Sequence, residues 1–255
     1  MQTFSLNGTE ITFPHQPVLV CYRGSQAHGT YIPPEDPDSV DDIDLFAVCV
    51  PPMNYFLGLK QWAGKDFWVN EYDIVAYNLD KFIRLLLKGN PNVHQALWVK
   101  PEHILYCTEI GEELIAHRDR FIGKVPLFNA LTGYAQGQFK RMTQSNPYQG
   151  YMGEKRRHLV NQFGYDPKNA SHLIRLQQMC LDFLLTGEFR VWREDAADLI
   201  DIKRGKWSLD AVKEYSQRLH EACQTDFQTC MLPDYADTEW ADLFLIRLLR
   251  NVYGL

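Results

Sequence analysis

Residues 22–51 read YRGSQAHGTYIPPEDPDSVDDIDLFAVCVP. The segment just before, Gln16–Tyr22 (QPVLVCY), is a short apolar run closed by Gly24, the pattern of a buried strand. A polar, proline-rich loop follows Gly24-Ser25. Asp42-Ile43-Asp44 then opens a second apolar run, Ile43–Val50, which Pro51-Pro52 stops. Side chains alternate along a strand, so Asp42 and Asp44 share one face while Ile43 points into the core. Two carboxylates this close repel, and ionising both is costly unless a cation lies between them. Mg²⁺, hard and oxygen-seeking, is the expected ion, with Mn²⁺ as its substitute. Gly24 permits a close backbone approach and Ser25 offers a hydroxyl and an N–H, donors of the kind that cradle phosphate.

A third acid is expected from a neighbouring strand. Phe67–Tyr77 (FWVNEYDIVAY) reads as one strand that places Glu71 and Asp73 on the same face. Asp73, flanked by Tyr72 and Ile74, is the preferred ligand. Further along, Asp80 is expected to cap a helix through Lys88, with Gly89 just past its end, and Pro91 to start a short second helix. From about Glu109 the pattern turns helical. Ser208 opens an amphipathic stretch through Cys223, and Asp237 or Thr238 opens another ending near Val252. Strands first and helices later imply an α+β chain rather than alternating βαβ units. A boundary near residues 120–130 divides it into a part over 1–125 and a helical part over 126–255.

The second constellation is Gly164–Leu176, GYDPKNASHLIRL. Asp166 is a good N-cap and Pro167 a good first helical residue. Lys168, His172 and Arg175 then fall within an arc of about 60° on the helix, while Leu173, Leu176, Cys180 and Leu184 form a core stripe on the other side. The three cations form either a phosphate clamp or an ordinary solvated face. The basic runs Lys140-Arg141 and Lys155–His158, and the aromatics Tyr148, Tyr151 and Tyr165, are weaker candidates for nucleic-acid or base contacts.

The formal net charge is −6, which argues against a surface that coats nucleic acid throughout. It is unevenly spread. Residues 1–80 hold 11 acidic against 3 basic side chains, and residues 138–175 hold 7 basic against 2 acidic. This asymmetry fits a metal site facing a phosphate site, but charge alone favours ordinary variation on solvated surfaces. The six cysteines form no CxxC pair, so neither a zinc site nor a disulfide framework is expected, and a reducing cytoplasmic setting is. No apolar stretch reaches the ~18–20 residues of a membrane span, and the first residues, MQTFSLNGTEITF, lack the basic n-region of a signal peptide.

The ordered set strand–GS–loop–DxD–strand–D resembles the signature of the DNA polymerase β-like nucleotidyltransferase superfamily. The segments GSQAHGT, DDIDLFAVCVPP, DKFIRLLLKGNPNV, GYMGEKRRHLVNQFGYDPKNASHLIRL, LLTGEFRV and IKRGKWSLDAV are similar to its RNA-repair-pathway branch, the RlaP/YcgL-type predicted nucleotidyltransferases. The likeness runs from about residue 18 to 235. It implies a mixed α/β catalytic core followed by a helical region for nucleotide and acceptor. The implied reaction is metal-dependent transfer of a nucleotidyl group from an NTP to an acceptor hydroxyl, with release of pyrophosphate. Asp42, Asp44 and Asp73 would be the catalytic and metal-holding acids. Gly24, Ser25, Lys168, His172 and Arg175 would hold the nucleotide. An RNA end is the expected acceptor, with protein or small-molecule NMP transfer and an inactive nucleotide sensor as the alternatives. The stretch between Ser25 and Asp42 is longer than the minimal spacing of the superfamily and is expected to bulge out.

Overall fold

The structure is a computed structural model that describes residues 3–37, 39, 41–143 and 153–255. In chain order its elements are β1 (Thr3–Leu6), β2 (Thr9–Thr12), β3 (Gln16–Tyr22), α1 (Gly24–His28), β4 (Ile43–Val50), β5 (Gly64–Val69), β6 (Tyr72–Asn78), α2 (Leu79–Leu87), α3 (Pro91–His94), β7 (Ile104–Cys107), α4 (Glu109–Ala116), α5 (Lys124–Thr143), α6 (Glu154–Phe163), α7 (Pro167–Thr186), α8 (Ala196–Lys203), α9 (Leu209–Thr229) and α10 (Thr238–Tyr253). The chain is α+β, with a helical C-terminal region. It forms two compact units. One comprises Met1–Ala27, Asp42–Pro126 and Pro233–Leu255, and the other His28–Asp41 and Leu127–Leu232. The chain therefore crosses between units four times, where the sequence division has a single crossing near residue 125.

The first unit is built on a five-stranded mixed sheet in the order β5-β6-β4-β3-β7. β4 lies at its centre, antiparallel to β3 and parallel to β6. Buried from Leu45 to Val50, β4 is apolar on both faces, which is why its sequence is a continuous apolar run rather than an alternation. One face packs in a cluster of Leu6, Ile11, Phe13, Val20, Leu45, Ala47, Tyr72 and Ile74. On the other, the Phe46 ring lies 5.8 Å from that of Phe82 of α2, tilted by 42°. Cys21 and Cys49 are buried in these layers, and burial pushes both thiols up to about 12. They act as small hydrophobes.

Two local expectations change. Phe67–Tyr77 is not one strand but the end of β5, a turn at Asn70-Glu71 and most of β6. Asn70 takes φ +51°, a left-handed conformation that Asn tolerates better than most residues. The apolar alternation continues on both sides of the turn, so the period alone does not reveal it. Glu71 consequently leaves the strand and is exposed, while Asp73 stays within β6. The cap of α2 is Asn78, whose side chain accepts from the Asp80 N–H, so Asp80 lies in the first turn and not at the cap.

The second unit centres on α7. Asp166 caps it, accepting from the N–H groups of Lys168 and Asn169. α8 and α9 pack against it, and its buried residues run from Pro167 to Leu184 on nearly every side. Of the two readings of the cation face, that of an ordinary solvated face does not hold for Arg175, which is 8% exposed. The described residues from His28 to Asp41 belong to this unit rather than bulging out as expected, with Thr30, Ile32 and Ser39 buried and Ser39 Oγ donating to the Ile32 carbonyl at 2.7 Å. Tyr165 is core, its hydroxyl donating to the Trp207 carbonyl at 2.7 Å, and is no stacking surface. Tyr148 and Tyr151 lie outside the described residues. No helix is long and apolar enough to cross a membrane among the described residues.

Candidate active site

The parallel pairing of β4 with β6 sets Asp44 directly opposite Asp73. Both carboxylates converge on one cation, the guanidinium of Arg23 just past the end of β3. Its Nη2 lies 3.1 Å from Asp44 Oδ1 and 3.0 Å from Asp73 Oδ2. Arg23 is fixed from three further points. Its N–H donates to the Asp44 carbonyl at 2.9 Å, its Nε donates to the Leu45 carbonyl at 3.2 Å, and the β3–β4 ladder ends at its neighbour Tyr22. The three side chains are 23–30% exposed, so the group is reachable from solvent. Sequence reasoning missed Arg23. Its signal was composition: it is the only Lys or Arg in residues 1–59, and it adjoins Gly24-Ser25.

Gly24 is required where it stands. Its φ is +61°, and a Cβ built there would lie 2.2 Å from Asp44 Oδ2. Gly24→Ala combines left-handed strain, about 1–2 kcal/mol, with overpacking, about 1–3 kcal/mol. The expected result is a thermal midpoint lowered by several degrees together with loss of whatever activity Asp44 supports. A variant with wild-type melting and wild-type activity would show that the close approach is unimportant. Ser25 follows in the first turn of α1.

Asp42 sits one residue ahead of β4 and is exposed. Among the described residues no three His, Cys, Asp or Glu side chains come together as a ready-made metal cluster. The structure therefore joins Asp44 and Asp73 and leaves Asp42 outside the pair. The donor chemistry still suits a hard divalent cation, because two carboxylates already present oxygens to one positive charge.

Lys168, His172 and Arg175 belong to the second unit, where α7 brings them together with His28 of α1 and Lys203 of α8. Lys203 is buried; its Nζ donates to the Thr30 carbonyl and to Asp41 Oδ2, each at 2.7 Å. Lys168 Nζ lies 3.4 Å from the other oxygen of Asp41. Burial, then Arg193, lowers the Arg175 guanidinium to about 9, which leaves it charged at neutral pH. Desolvation, then Arg175, Lys203, Lys168 and His28, hold the His172 imidazole well below 6.5. His28, with Nδ1 3.0 Å from the Val191 carbonyl, is shifted the same way, first by burial and then by Arg175. At neutral pH the group is thus three cations and two neutral imidazoles. In the basic run 155–158, Arg156 pairs with Asp166, while Lys155, Arg157 and His158 are exposed.

Among solved structures, the chain is similar to a nucleotidyltransferase-like protein from Exiguobacterium sibiricum, at 13% identity over 94% of this chain and 75% of the other, with a TM-score of 0.29. No curated protein matches it. A family model described as RlaP, RNA repair pathway DNA polymerase beta family, matches residues 3–243.

Proposed function

From the premise that the chain belongs to the RNA repair pathway DNA polymerase beta family, we propose that it is a Mg²⁺-dependent nucleotidyltransferase that moves a nucleotidyl group from an NTP to a hydroxyl at an RNA end. The observation that carries this reading is the Asp44–Asp73 register pair, with the Gly24 backbone pressed against Asp44. In this reaction the acceptor oxygen bonds to the α-phosphorus, the bond from that phosphorus to the α–β bridging oxygen breaks, and pyrophosphate leaves with the electron pair. The acceptor hydroxyl gives up its proton.

Asp44 and Asp73, joined by Asp42, would hold the metal. A bound divalent ion supplies charge neutralisation at the phosphates and a lowered pKa for the acceptor hydroxyl. The chain's own residues do the rest. Arg23 keeps the two carboxylates aligned. Ser25, through its hydroxyl and N–H, binds phosphate oxygens, as does the Gly24 backbone. Lys168, His172 and Arg175 bind the triphosphate and neutralise charge on the departing pyrophosphate. No residue needs to become covalently attached. The family description supports RNA as the acceptor.

Incubation with each α-labelled NTP, Mg²⁺ and RNA tests this. Label should enter RNA and pyrophosphate should appear in equal amount; label in protein alone would replace RNA as the acceptor, and no label anywhere would end the reading.

A titrating His172 with an ordinary pKa would make affinity fall as pH rises through ~6.5. Burial, and then the cations around His172, change that expectation. Its lowered pKa keeps it neutral above 6.5, so NTP affinity should be flat from pH 7 to 8. Affinity should rise only below 6.5, where a bound phosphate favours the proton. Isothermal titration across pH 5–8, repeated with His172→Gln, checks both the window and its owner.

A further inference from the structure

Among the described residues, the cation group of the second unit includes a buried guanidinium with no ion pair, that of Arg175. Arg193, at its edge, has two carboxylates of its own, Asp182 and Asp195. Lys168 and Lys203 share the single carboxylate of Asp41. Arg175 is buried and enters no ion pair among the described residues; its one hydrogen bond there goes to Met179 Sδ at 3.1 Å. Among the described residues, Asp41 is thus the carboxylate that Lys168 and Lys203 share, and Arg175 has none. A buried guanidinium without a counter-anion is costly, and sites that keep such a group are suited to an incoming anion.

Asp41 is held much as a bound anion is held. Its side chain is 1% exposed. Oδ2 accepts from Lys203 Nζ at 2.7 Å and from the Ile32 N–H at 3.1 Å. Oδ1 accepts no hydrogen bond and only faces Lys168 Nζ at 3.4 Å, too long for a good one. One carboxylate thus spans two lysines, and one of its own buried oxygens goes without a hydrogen bond. A phosphate chain has more oxygens and more charge, and reaches further.

We propose that Lys168, Lys203 and Arg175 bind the phosphate chain of a nucleoside triphosphate and that Asp41 is a built-in competitor which the phosphate displaces from the two lysines. The identity of the anion rests on the nucleotidyl-transfer reading; the site and the competition rest on the geometry. Asp41 is the residue immediately before Asp42. Its release on nucleotide binding frees the chain next to the acid proposed to complete the metal site, so donor occupancy is signalled to that acid through one peptide link. Lys203 becomes a phosphate-binding residue, 28 positions beyond Arg175 and outside the motif that pointed to the helix.

The experiment measures binding of inorganic tripolyphosphate, in EDTA at fixed ionic strength, by titration calorimetry and thermal shift. Against wild type, Asp41→Asn should bind about tenfold more tightly, and Arg175→Met about tenfold more weakly. Relative to Asp41→Asn, the double variant Asp41→Asn/Lys203→Met should again bind about tenfold more weakly. Asp41→Asn should melt lower than wild type without ligand, because two cations lose their partner, and should gain more melting temperature from tripolyphosphate than wild type does. If Asp41→Asn does not fold alone, tripolyphosphate should fold it, as read by circular dichroism. Unchanged or weaker binding, an equal thermal shift, or failure to fold with tripolyphosphate would each overturn the competition. ATP should bind at least as tightly as tripolyphosphate. Binding of a 5′-phosphorylated oligoribonucleotide without either of them would overturn the assignment to a nucleotide donor. Asp44→Asn should retain this binding while losing transfer. The same binding pattern in a wild type that transfers no nucleotide would sink the transfer reading and leave the site standing.

Discussion

Asp44→Asn and Asp73→Asn are each expected to lower nucleotidyl transfer by about three orders of magnitude, with the fold intact. The activity estimate follows from the several kcal/mol of charge stabilisation that a correctly held metal contributes, at about 1.4 kcal/mol per tenfold in rate. The fold estimate follows from geometry. Asn is isosteric, so the contact between Gly24 and residue 44 is kept, and Arg23 retains one of its two carboxylates in either variant. These side chains are partly solvated, which limits the loss to about 1 kcal/mol. In a chain of this size that lowers the thermal midpoint by about 2–4 °C. Glu71→Gln should leave the rate near wild type, because Glu71 lies in the β5–β6 turn and is exposed. Steady-state rates paired with melting curves check all three. A near-normal rate in Asp73→Asn with a lost rate in Glu71→Gln would reassign the acid.

The largest effect on stability is expected from Asp166→Ala. The Asp166 side chain is 2% exposed and accepts five hydrogen bonds or more. Arg156 Nη2 and Nε donate to Oδ2 at 2.8 and 3.0 Å, the N–H groups of Lys168 and Asn169 to Oδ1 at 3.1 and 3.2 Å, and Asn169 Nδ2 to Oδ2 at 2.9 Å. Alanine removes the cap of α7 and leaves the Arg156 guanidinium, itself largely buried, without its partner. Breaking such a pair costs about 3–5 kcal/mol. The midpoint should fall by about 10 °C or more. Asp166→Asn keeps a capping oxygen and should lose about half as much. Because Lys168 lies in the first turn that Asp166 holds, both variants should also weaken tripolyphosphate binding. A loss under about 1 kcal/mol in urea titration of the alanine variant would show that the helix start is held by other means.

Much of this was legible in the chain because it is local. Asp42-Ile43-Asp44 at the head of an apolar run marks β4 by alternation and composition alone, and Pro51-Pro52 marks its end. Asp166-Pro167 marks the start of α7 because capping is decided within three residues. The preference for Asp73 over Glu71 came from neighbouring apolar residues, which track depth in a strand. The turn at Asn70-Glu71 was hidden because the same alternation continues through both arms of the hairpin.

What only the tertiary structure decided is non-local pairing and burial. Arg23 lies between Asp44 and Asp73 because β3 runs antiparallel to β4 while β6 runs parallel to it, and register between distant strands is set by the whole sheet. On a helical wheel the Arg175 face of α7 reads as either a phosphate clamp or an ordinary solvated face. α8 and α9 pack against α7 and Asp41 pairs with Lys168, so Arg175 is buried and its charge is costly. The Asp41–Lys203 pair joins residues 162 apart, which no spacing rule relates. Motifs within one turn or one strand are fixed by local sterics and hydrogen bonding. Which of their charges end up buried together is fixed by packing, which withdraws a lysine or arginine from water and makes its charge costly unless it is paired.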